Sequence, residues 1–250
     1  MSFRSRTRSI GAFYIPGFPK GVKWLLISNV AIFVLMFFAE RVGLAGPLII
    51  LKLIPVAVVK DFFIWQLATY AFLHQGFGHI IWNMLALWMF GADIERIWGT
   101  RRFLQFYFFC AVGAGLCVVL LNYILPWGNP NVATIGSSGA IFGILMAYAI
   151  MFADREILWG FLIPIKVKYF VLIIGAVAFL SSFGVNNGVS NFAHLGGLLF
   201  GYLFLKTPHM QFDPIAPMRR QYRDWKLQRA KKKFQVYLRK QGSGRGPKVN

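Results

Sequence analysis

The chain has 250 residues, of which 57% are hydrophobic and only 14% are charged, yet its formal net charge is +19. Soluble globular domains carry about 25% charged residues, so this composition argues against an ordinary soluble domain. The apolar content excludes a disordered chain. The only two cysteines, Cys110 and Cys117, lie about two helical turns apart in one apolar run, which excludes a disulfide scaffold. Composition therefore predicts an integral membrane protein whose charges are kept apart from its apolar segments.

Six apolar runs are candidates for transmembrane helices, because about 20 apolar residues cross the hydrocarbon core. They cover residues 24–39, 80–92, 103–124, 135–152, 167–183 and 189–205. A further stretch, 44–59, is interrupted by two prolines and a lysine, which favours a segment lying in the membrane interface. The pattern predicts an all-α, six-transmembrane-helix bundle over residues 24–206, with basic tails over 1–23 and 207–250.

The Lys and Arg residues indicate how the chain is oriented. Of the 27, 24 fall in the two tails and in the turns after spans 2 and 4, all on one predicted side. The positive-inside rule then places both termini in the cytoplasm. We expect a bacterial inner membrane, because the chain holds little beyond six spans and short basic ends. An organellar membrane stays open, since residues 1–12 are rich in Arg and Ser and lack acids.

Within the C-terminal tail, residues 219–240 interleave basic and aromatic side chains. This pattern favours a cationic amphipathic helix that lies on the anionic leaflet of the membrane. A solvated tail is the second interpretation, and contact with nucleic acid is the least favoured of the three. Membrane lipids are therefore the expected partner of the tail.

Three polar clusters stand where spans 2, 4 and 6 begin. They contain His74, His79 and Asn83 in the first, Gly136, Ser137, Ser138 and Gly139 in the second, and Asn191 and His194 in the third. Because all three spans run from the outer face inward, His79, Ser138 and His194 are expected at a similar depth. Polar side chains inside a membrane are costly and usually face an interior cavity. The clusters therefore predict one water-accessible pocket between these spans.

Stripes of small residues predict that spans 4 and 6 cross closely. The stripes are Gly139, Gly143 and Ala147 on span 4, and Ala193, Gly197 and Gly201 on span 6. Small residues four apart let helix backbones approach each other in a bilayer. Such a crossing would bring Ser138 and His194 toward hydrogen-bond distance, where the histidine can activate the weakly nucleophilic hydroxyl. Taken alone, each cluster is also compatible with helix packing or a structural hydrogen bond.

None of the eight acidic residues lies in spans 4, 5 or 6. The sequence therefore predicts a Ser-His dyad rather than a triad with a carboxylate. Donors for an oxyanion are the Ser138 N–H and the side chains of His79 and Asn83, which share a helix face. A small transporter would need acids or broken helices near the bilayer centre. The sequence shows no such acids.

Four motifs in this order resemble the rhomboid intramembrane serine proteases. The motifs are His79-x-x-x-Asn83, Gly91-x-x-x-Glu95-x-x-x-Gly99, Gly136-x-Ser138-Gly139 and Ala193-His194-x-Gly196-Gly197. The resemblance implies Ser138 as nucleophile and His194 as general base, with His79, Asn83 and the Ser138 amide forming the oxyanion hole. It implies hydrolysis of a peptide bond in or near a transmembrane segment of another, single-pass membrane protein. No metal and no cofactor are implied.

The resemblance also matches residues 181–191 to the flexible loop that caps the rhomboid site, and span 5 to the substrate entrance. The first loop lacks the Trp-Arg pair of many rhomboids, so its anchoring is expected to differ. His74 has no assigned role, and the Gly-x-Ser-Gly register favours Ser138 over Ser137. The alternative is a catalytically silent rhomboid-like protein that binds transmembrane clients, against which the retained Ser138 and His194 count.

Overall fold

The computed structural model describes residues 18–44, 46–159, 162–182, 188–207, 225–229 and 231. The chain divides into two compact units, residues 1–210 and 211–250. In the second unit, residues 225–229 are helical and exposed, and the Arg229 guanidinium lies 4.0 Å from the centroid of the Trp225 ring. The rest of the predicted amphipathic helix, apart from residue 231, lies outside the described residues, as do residues 1–17 of the N-terminal tail.

The described part of the first unit is mainly helical. Its α-helices are α1 (Lys20–Arg41), α2 (Pro55–Lys60), α3 (Gln66–Thr69), α4 (Phe77–Ala86), α5 (Ala92–Trp98), α6 (Thr100–Ile124), α7 (Ser138–Met151), α8 (Val167–Ser181) and α9 (Gly188–Lys206). Short 3-10 segments cover Gly46–Leu51 and Tyr70–Phe72, and a π-helical segment, Leu87–Gly91, joins α4 to α5 without a break. Of the described helices, α1 and α6 are long and apolar enough to cross a membrane, whereas α7 and α8 are apolar but shorter.

Each of the six predicted apolar runs coincides with helix, but some boundaries differ. The second run continues through α5 to Trp98, beyond the predicted end at residue 92. Hydropathy falls at Asp93 and Glu95, and both carboxylates are paired within the protein, to Arg155 and to backbone N–H groups. Paired charges can stay in a helix that hydropathy alone would end.

A β-hairpin between α7 and α8 departs from the all-α prediction. Its strands β1 (Glu156–Trp159) and β2 (Ile163–Lys166) are antiparallel, with Glu156 opposite Lys166. At its base, Arg155 forms an ion pair with Asp93 at 2.7 Å and donates to the Tyr148 hydroxyl at 2.7 Å. The hairpin lets this connection pair its own backbone groups, and Arg155 ties it to α5 and α7.

The first loop is attached to the bundle by backbone and amide hydrogen bonds. Leu53 and Thr134 exchange backbone hydrogen bonds of 3.1 Å and 2.8 Å. The buried Gln66 side chain accepts from the Ile54 N–H at 3.0 Å and donates to the Ile50 carbonyl at 3.2 Å. These contacts anchor a loop that has no Trp-Arg pair.

The helices α7 and α9 cross in backbone contact. A Cβ on Gly197 would collide with the carbonyl oxygen of Gly139, and a Cβ on Gly201 would lie 2.8 Å from the carbonyl oxygen of Gly143. The residue pairs follow in the same order along both helices, so α7 and α9 run in the same direction. The close crossing predicted from the small residues of these helices is confirmed. It places the start of α7 beside the first half of α9.

Gly197→Ala should destabilise the fold, because the added methyl group has no room against the Gly139 carbonyl. Overpacking of this kind costs about 1–3 kcal/mol. We expect a lower midpoint of thermal unfolding in detergent. Gly78→Ala is the matched control, since a Cβ at Gly78 in α4 meets no atom within 4 Å. An unchanged midpoint for Gly197→Ala would contradict the backbone contact.

Candidate functional site

Ser138 and His194 meet at the crossing of α7 and α9. The Ser138 Oγ and the His194 Nε2 are 2.9 Å apart. The His194 ring stacks flat on Phe142 of α7, with 4.3 Å between the ring centroids and 5° between the ring planes. The stacking restricts rotation of the imidazole. This geometry allows a proton to pass from the hydroxyl to the imidazole.

The loop before α7 holds Ser138 in place. Gly136 has a φ of +119°, a conformation that glycine adopts at little steric cost. Its N–H donates to the Tyr70 carbonyl at 2.9 Å, and the Tyr70 hydroxyl donates to the Ala111 carbonyl of α6 at 2.8 Å. Since α7 begins at Ser138, the N–H groups of its first turn have no partner inside the helix. The positive end of the α7 dipole therefore lies at Ser138.

The His79 ring and the Ser138 hydroxyl both lie close to Gly136. A Cβ on Gly136 would lie 2.7 Å from the Cε1 and Nε2 atoms of His79 and 3.8 Å from the Ser138 Oγ. The Gln75 N–H donates to the His79 Nδ1 over 3.5 Å. A neutral imidazole that accepts at Nδ1 carries its proton on Nε2. The donor nitrogen of His79 is therefore the one that lies against Gly136.

Asn83 follows His79 by four residues in α4 and lies on the same helix face. Its side chain is buried, and its Nδ2 makes no hydrogen bond to any described residue. A buried amide donor without a partner is costly to maintain. These N–H groups are unpaired among the described residues and enclosed by protein atoms.

A second serine–histidine pair lies directly beside the first. The His74 Nε2 and the Ser137 Oγ are 3.2 Å apart, and both residues are buried. The sequence assigns no role to His74, and its Gly-x-Ser-Gly register favours Ser138 over Ser137. The two residues are 63 positions apart, so no local pattern could pair them. The structure separates the serines by their partners, His74 for Ser137 and His194 for Ser138.

The motif Gly91-x-x-x-Glu95-x-x-x-Gly99 is a fold anchor rather than a part of the site. The Glu95 carboxylate accepts the N–H groups of Gly21 and Val22, each at 2.7 Å, and the Thr100 hydroxyl at 2.6 Å. Gly99 has a φ of +78° where α5 meets α6. The carboxylate thus caps the first turn of α1, where unpaired N–H groups and the helix dipole favour a negative charge.

Within the described residues, no hydrogen bond or ion pair joins His194 to a carboxylate. Of the residues matched to the capping loop, Ser181 ends α8, residues 188–191 begin α9, and residues 183–187 lie outside the described residues. An apolar cavity of about 340 Å³ separates α4 from the start of α8, and Trp82, Met89, Trp159 and Phe170 are among its lining residues. Because β1 of the hairpin supplies part of its lining, apolar runs in the sequence do not predict this cavity.

A serine hydroxyl hydrogen-bonded to a half-buried histidine, beside fixed N–H donors, is the arrangement that serine hydrolases use. A family model described as "Rhomboid domain" matches residues 61–210, more than half of the chain. The chain belongs to the rhomboid family.

Relatives in bacteria and yeast carry rhomboid names. "Rhomboid protease GluP" of Bacillus subtilis is 35% identical over 140 residues, which are 55% of this chain and 25% of that protein. "Rhomboid protein 1, mitochondrial" of Saccharomyces cerevisiae is 32% identical over 138 residues, 54% of this chain and 39% of that protein. "Rhomboid protease GlpG" of Haemophilus influenzae is 27% identical over 177 residues, 70% of this chain and 85% of that protein. The chain thus spans well under half of the first two relatives.

Glu95→Gln should lower the stability of the fold, because an amide NH₂ cannot accept from the N–H groups at the start of α1. A buried donor left unpaired costs about 1–3 kcal/mol. The midpoint of thermal unfolding in detergent measures this loss. Glu40→Gln, at an exposed position near the end of α1, is the matched control and should leave the midpoint unchanged. Equal midpoints for the two variants would contradict the anchoring role.

Proposed function

We propose that this chain is an intramembrane serine protease that hydrolyses peptide bonds in or near transmembrane segments of other membrane proteins. The 2.9 Å separation of the Ser138 Oγ and the His194 Nε2 is the observation that carries the proposal. Family membership and relatives named as proteases support it. In a triad a carboxylate orients the histidine; here the flat stacking on Phe142 does so.

The reaction begins with a proton transfer. The His194 Nε2 takes the hydroxyl proton as the Ser138 Oγ attacks the carbonyl carbon of the scissile bond. The carbonyl oxygen becomes negatively charged in the tetrahedral intermediate. His194 is then an imidazolium, which the neighbouring oxyanion stabilises.

The oxyanion is bound by donors from two helices. We assign the Ser138 N–H, the His79 Nε2–H and the Asn83 Nδ2–H to this role. The positive end of α7 adds a favourable potential at the same place. Donors fixed before the reaction stabilise the developing charge without reorganising, and each is worth about 10²–10³ in kcat.

The two products leave in sequence. His194 gives its proton to the leaving amine, the C–N bond breaks, and an acyl group remains on Ser138. Water then attacks the acyl carbonyl and loses a proton to His194. Collapse of the second intermediate returns that proton to the Ser138 Oγ and releases the new carboxylic acid.

For the membrane arrangement, we propose six spans, with α4, the π-helical segment and α5 together forming the second and both termini in the cytoplasm. Contacts at both ends of the second and fourth spans support this topology. His79 near the start of α4 lies beside the start of α7, and Asp93 in α5 accepts from the Tyr148 hydroxyl near the end of α7 at 3.0 Å. The second and fourth spans therefore run in the same direction. We assign the chain to a bacterial inner membrane.

The proposed substrates are single-pass membrane proteins, and the apolar cavity between α4 and α8 is the proposed point of entry. Lipids of the anionic leaflet are the proposed partner of the basic C-terminal tail. Nucleic acid is not proposed as a partner. The chemistry assigned above uses only side chains and backbone of this chain and water, so no cofactor or metal is invoked.

Cleavage of a single-pass test protein, co-expressed with the chain, tests the proposal. We expect Ser138→Ala and His194→Ala each to abolish cleavage at unchanged expression, because nucleophile and base act together. Ser28→Ala, in α1, is the matched serine control and should cleave normally. Undiminished cleavage by either dyad variant would contradict the assignment. A parent chain that binds such proteins but cuts none would favour the silent client-binding alternative.

Gly136→Ala should slow cleavage by displacing His79, since the new Cβ would lie 2.7 Å from two atoms of its ring. The loss of one oxyanion donor predicts a fall in kcat of about 10²–10³. Gly43→Ala is the control, because Gly43 also has a positive φ, of +75°, and a Cβ there meets no atom within 4 Å. If the kcat of Gly136→Ala lay within about twofold of the parent value, His79 would not be an oxyanion donor that contributes about 10²–10³ to kcat.

A further inference from the structure

The pair formed by Ser137 and His74 lies next to Ser138, the proposed nucleophile. Ser137 is fully buried and His74 is 7% exposed. The Ser137 hydroxyl is hydrogen-bonded to His74 and no part of its side chain reaches the surface, whereas Ser138 is partly exposed. Ser137 is therefore not a second nucleophile, and the pair has another role.

The imidazole of His74 contacts that of His79. The ring centroids are 5.0 Å apart and the ring planes are inclined by 66°, an edge-to-face arrangement. On another side, the His79 ring lies against the backbone of Gly136. His79 is thus confined by Gly136, by His74 and by the long hydrogen bond from Gln75.

The hydrogen bond between Ser137 and His74 connects the start of α7, which carries Ser138, to the segment before α4, which carries His79. Ser137 directly precedes Ser138, the first residue of α7, and His74 precedes the helix that carries His79. The link therefore sets the distance between the nucleophile and the proposed oxyanion donor. Misplacing a reacting group by about 1 Å can cost about 10²-fold in rate.

We propose that Ser137 and His74 are positioning residues that hold the His79 imidazole in the oxyanion hole. This inference rests on the proposed protease function. Neither residue touches the reacting atoms, so both act through His79. Their loss should weaken the binding of the transition state and leave the binding of the substrate unchanged, which lowers kcat at constant KM.

The first test measures kcat and KM for a purified single-pass substrate with the full chain. Ser137→Ala and His74→Ala should each lower kcat by about 10-fold to 100-fold, with KM unchanged. His74→Gln keeps a nitrogen donor and should recover part of the loss. Thr134→Val is the matched control, because it removes another buried hydroxyl, one that makes no hydrogen bond to a described residue. Its kcat should equal that of the parent.

A double-mutant cycle separates positioning from a purely structural role. If His74 acts through His79, adding His74→Ala to His79→Ala should cause no further loss of kcat. Multiplicative losses would overturn the inference. So would variants whose only defect is a lower thermal midpoint, with normal kcat for the folded fraction. If His74→Ala does not fold, Ser137→Ala takes its place in the cycle, because that change removes only a single oxygen atom.

The failure of this inference differs from that of the proposed function. If the inference is wrong, the parent chain cleaves and reacts with a fluorophosphonate probe through Ser138, and the Ser137 and His74 variants match it. If the proposed function is wrong, the parent neither cleaves nor labels, which overturns the inference as well. Normal rates of probe labelling for both variants would count against positioning, because phosphonylation also needs the oxyanion donors.

Discussion

The contact between the backbones of Gly139 and Gly197 is the constraint on which the site depends. In lipid, helices gain little from burying apolar side chains against each other, so close packing between small residues holds them together. At this crossing the contact also determines where Ser138 and His194 lie. A side chain at Gly197 would push α7 and α9 apart and lengthen the 2.9 Å separation of Oγ and Nε2. Stability of the bundle and alignment of the dyad therefore share one cause.

The continuous helical segment formed by α4, the π-helical residues and α5 carries neutral polar residues near its start and charged residues near its end. Near the start of α4 are His79 and Asn83, whose remaining donors are the ones we assign to the oxyanion. At the far end, Asp93 pairs with Arg155, and Glu95 binds the start of α1. The paired carboxylates stabilise the fold where no reaction is proposed, and the site keeps donors rather than anions. An anion beside the oxyanion would raise the energy of the transition state.

Much of the site could be predicted because its signals are local. Glycines four residues apart predict the crossing, and Gly-x-Ser-Gly distinguishes Ser138 from Ser137. The pairing of Ser137 with His74 could not be predicted, since it depends on how two distant loops meet. The start of α1 at Lys20 depends on Glu95, more than 70 residues away. The hairpin strands Glu156–Trp159 and Ile163–Lys166 could not be predicted from apolar runs, because short, exposed strands do not produce such runs.

The most direct test of the central claim is the position of a covalent fluorophosphonate adduct, mapped by mass spectrometry of the full chain. The account predicts an adduct on Ser138 and none on Ser137, which is fully buried. It also predicts that the adduct disappears in His194→Ala, because the hydroxyl then lacks its base. An adduct on Ser137, or labelling of Ser138 that persists undiminished without His194, would contradict the account.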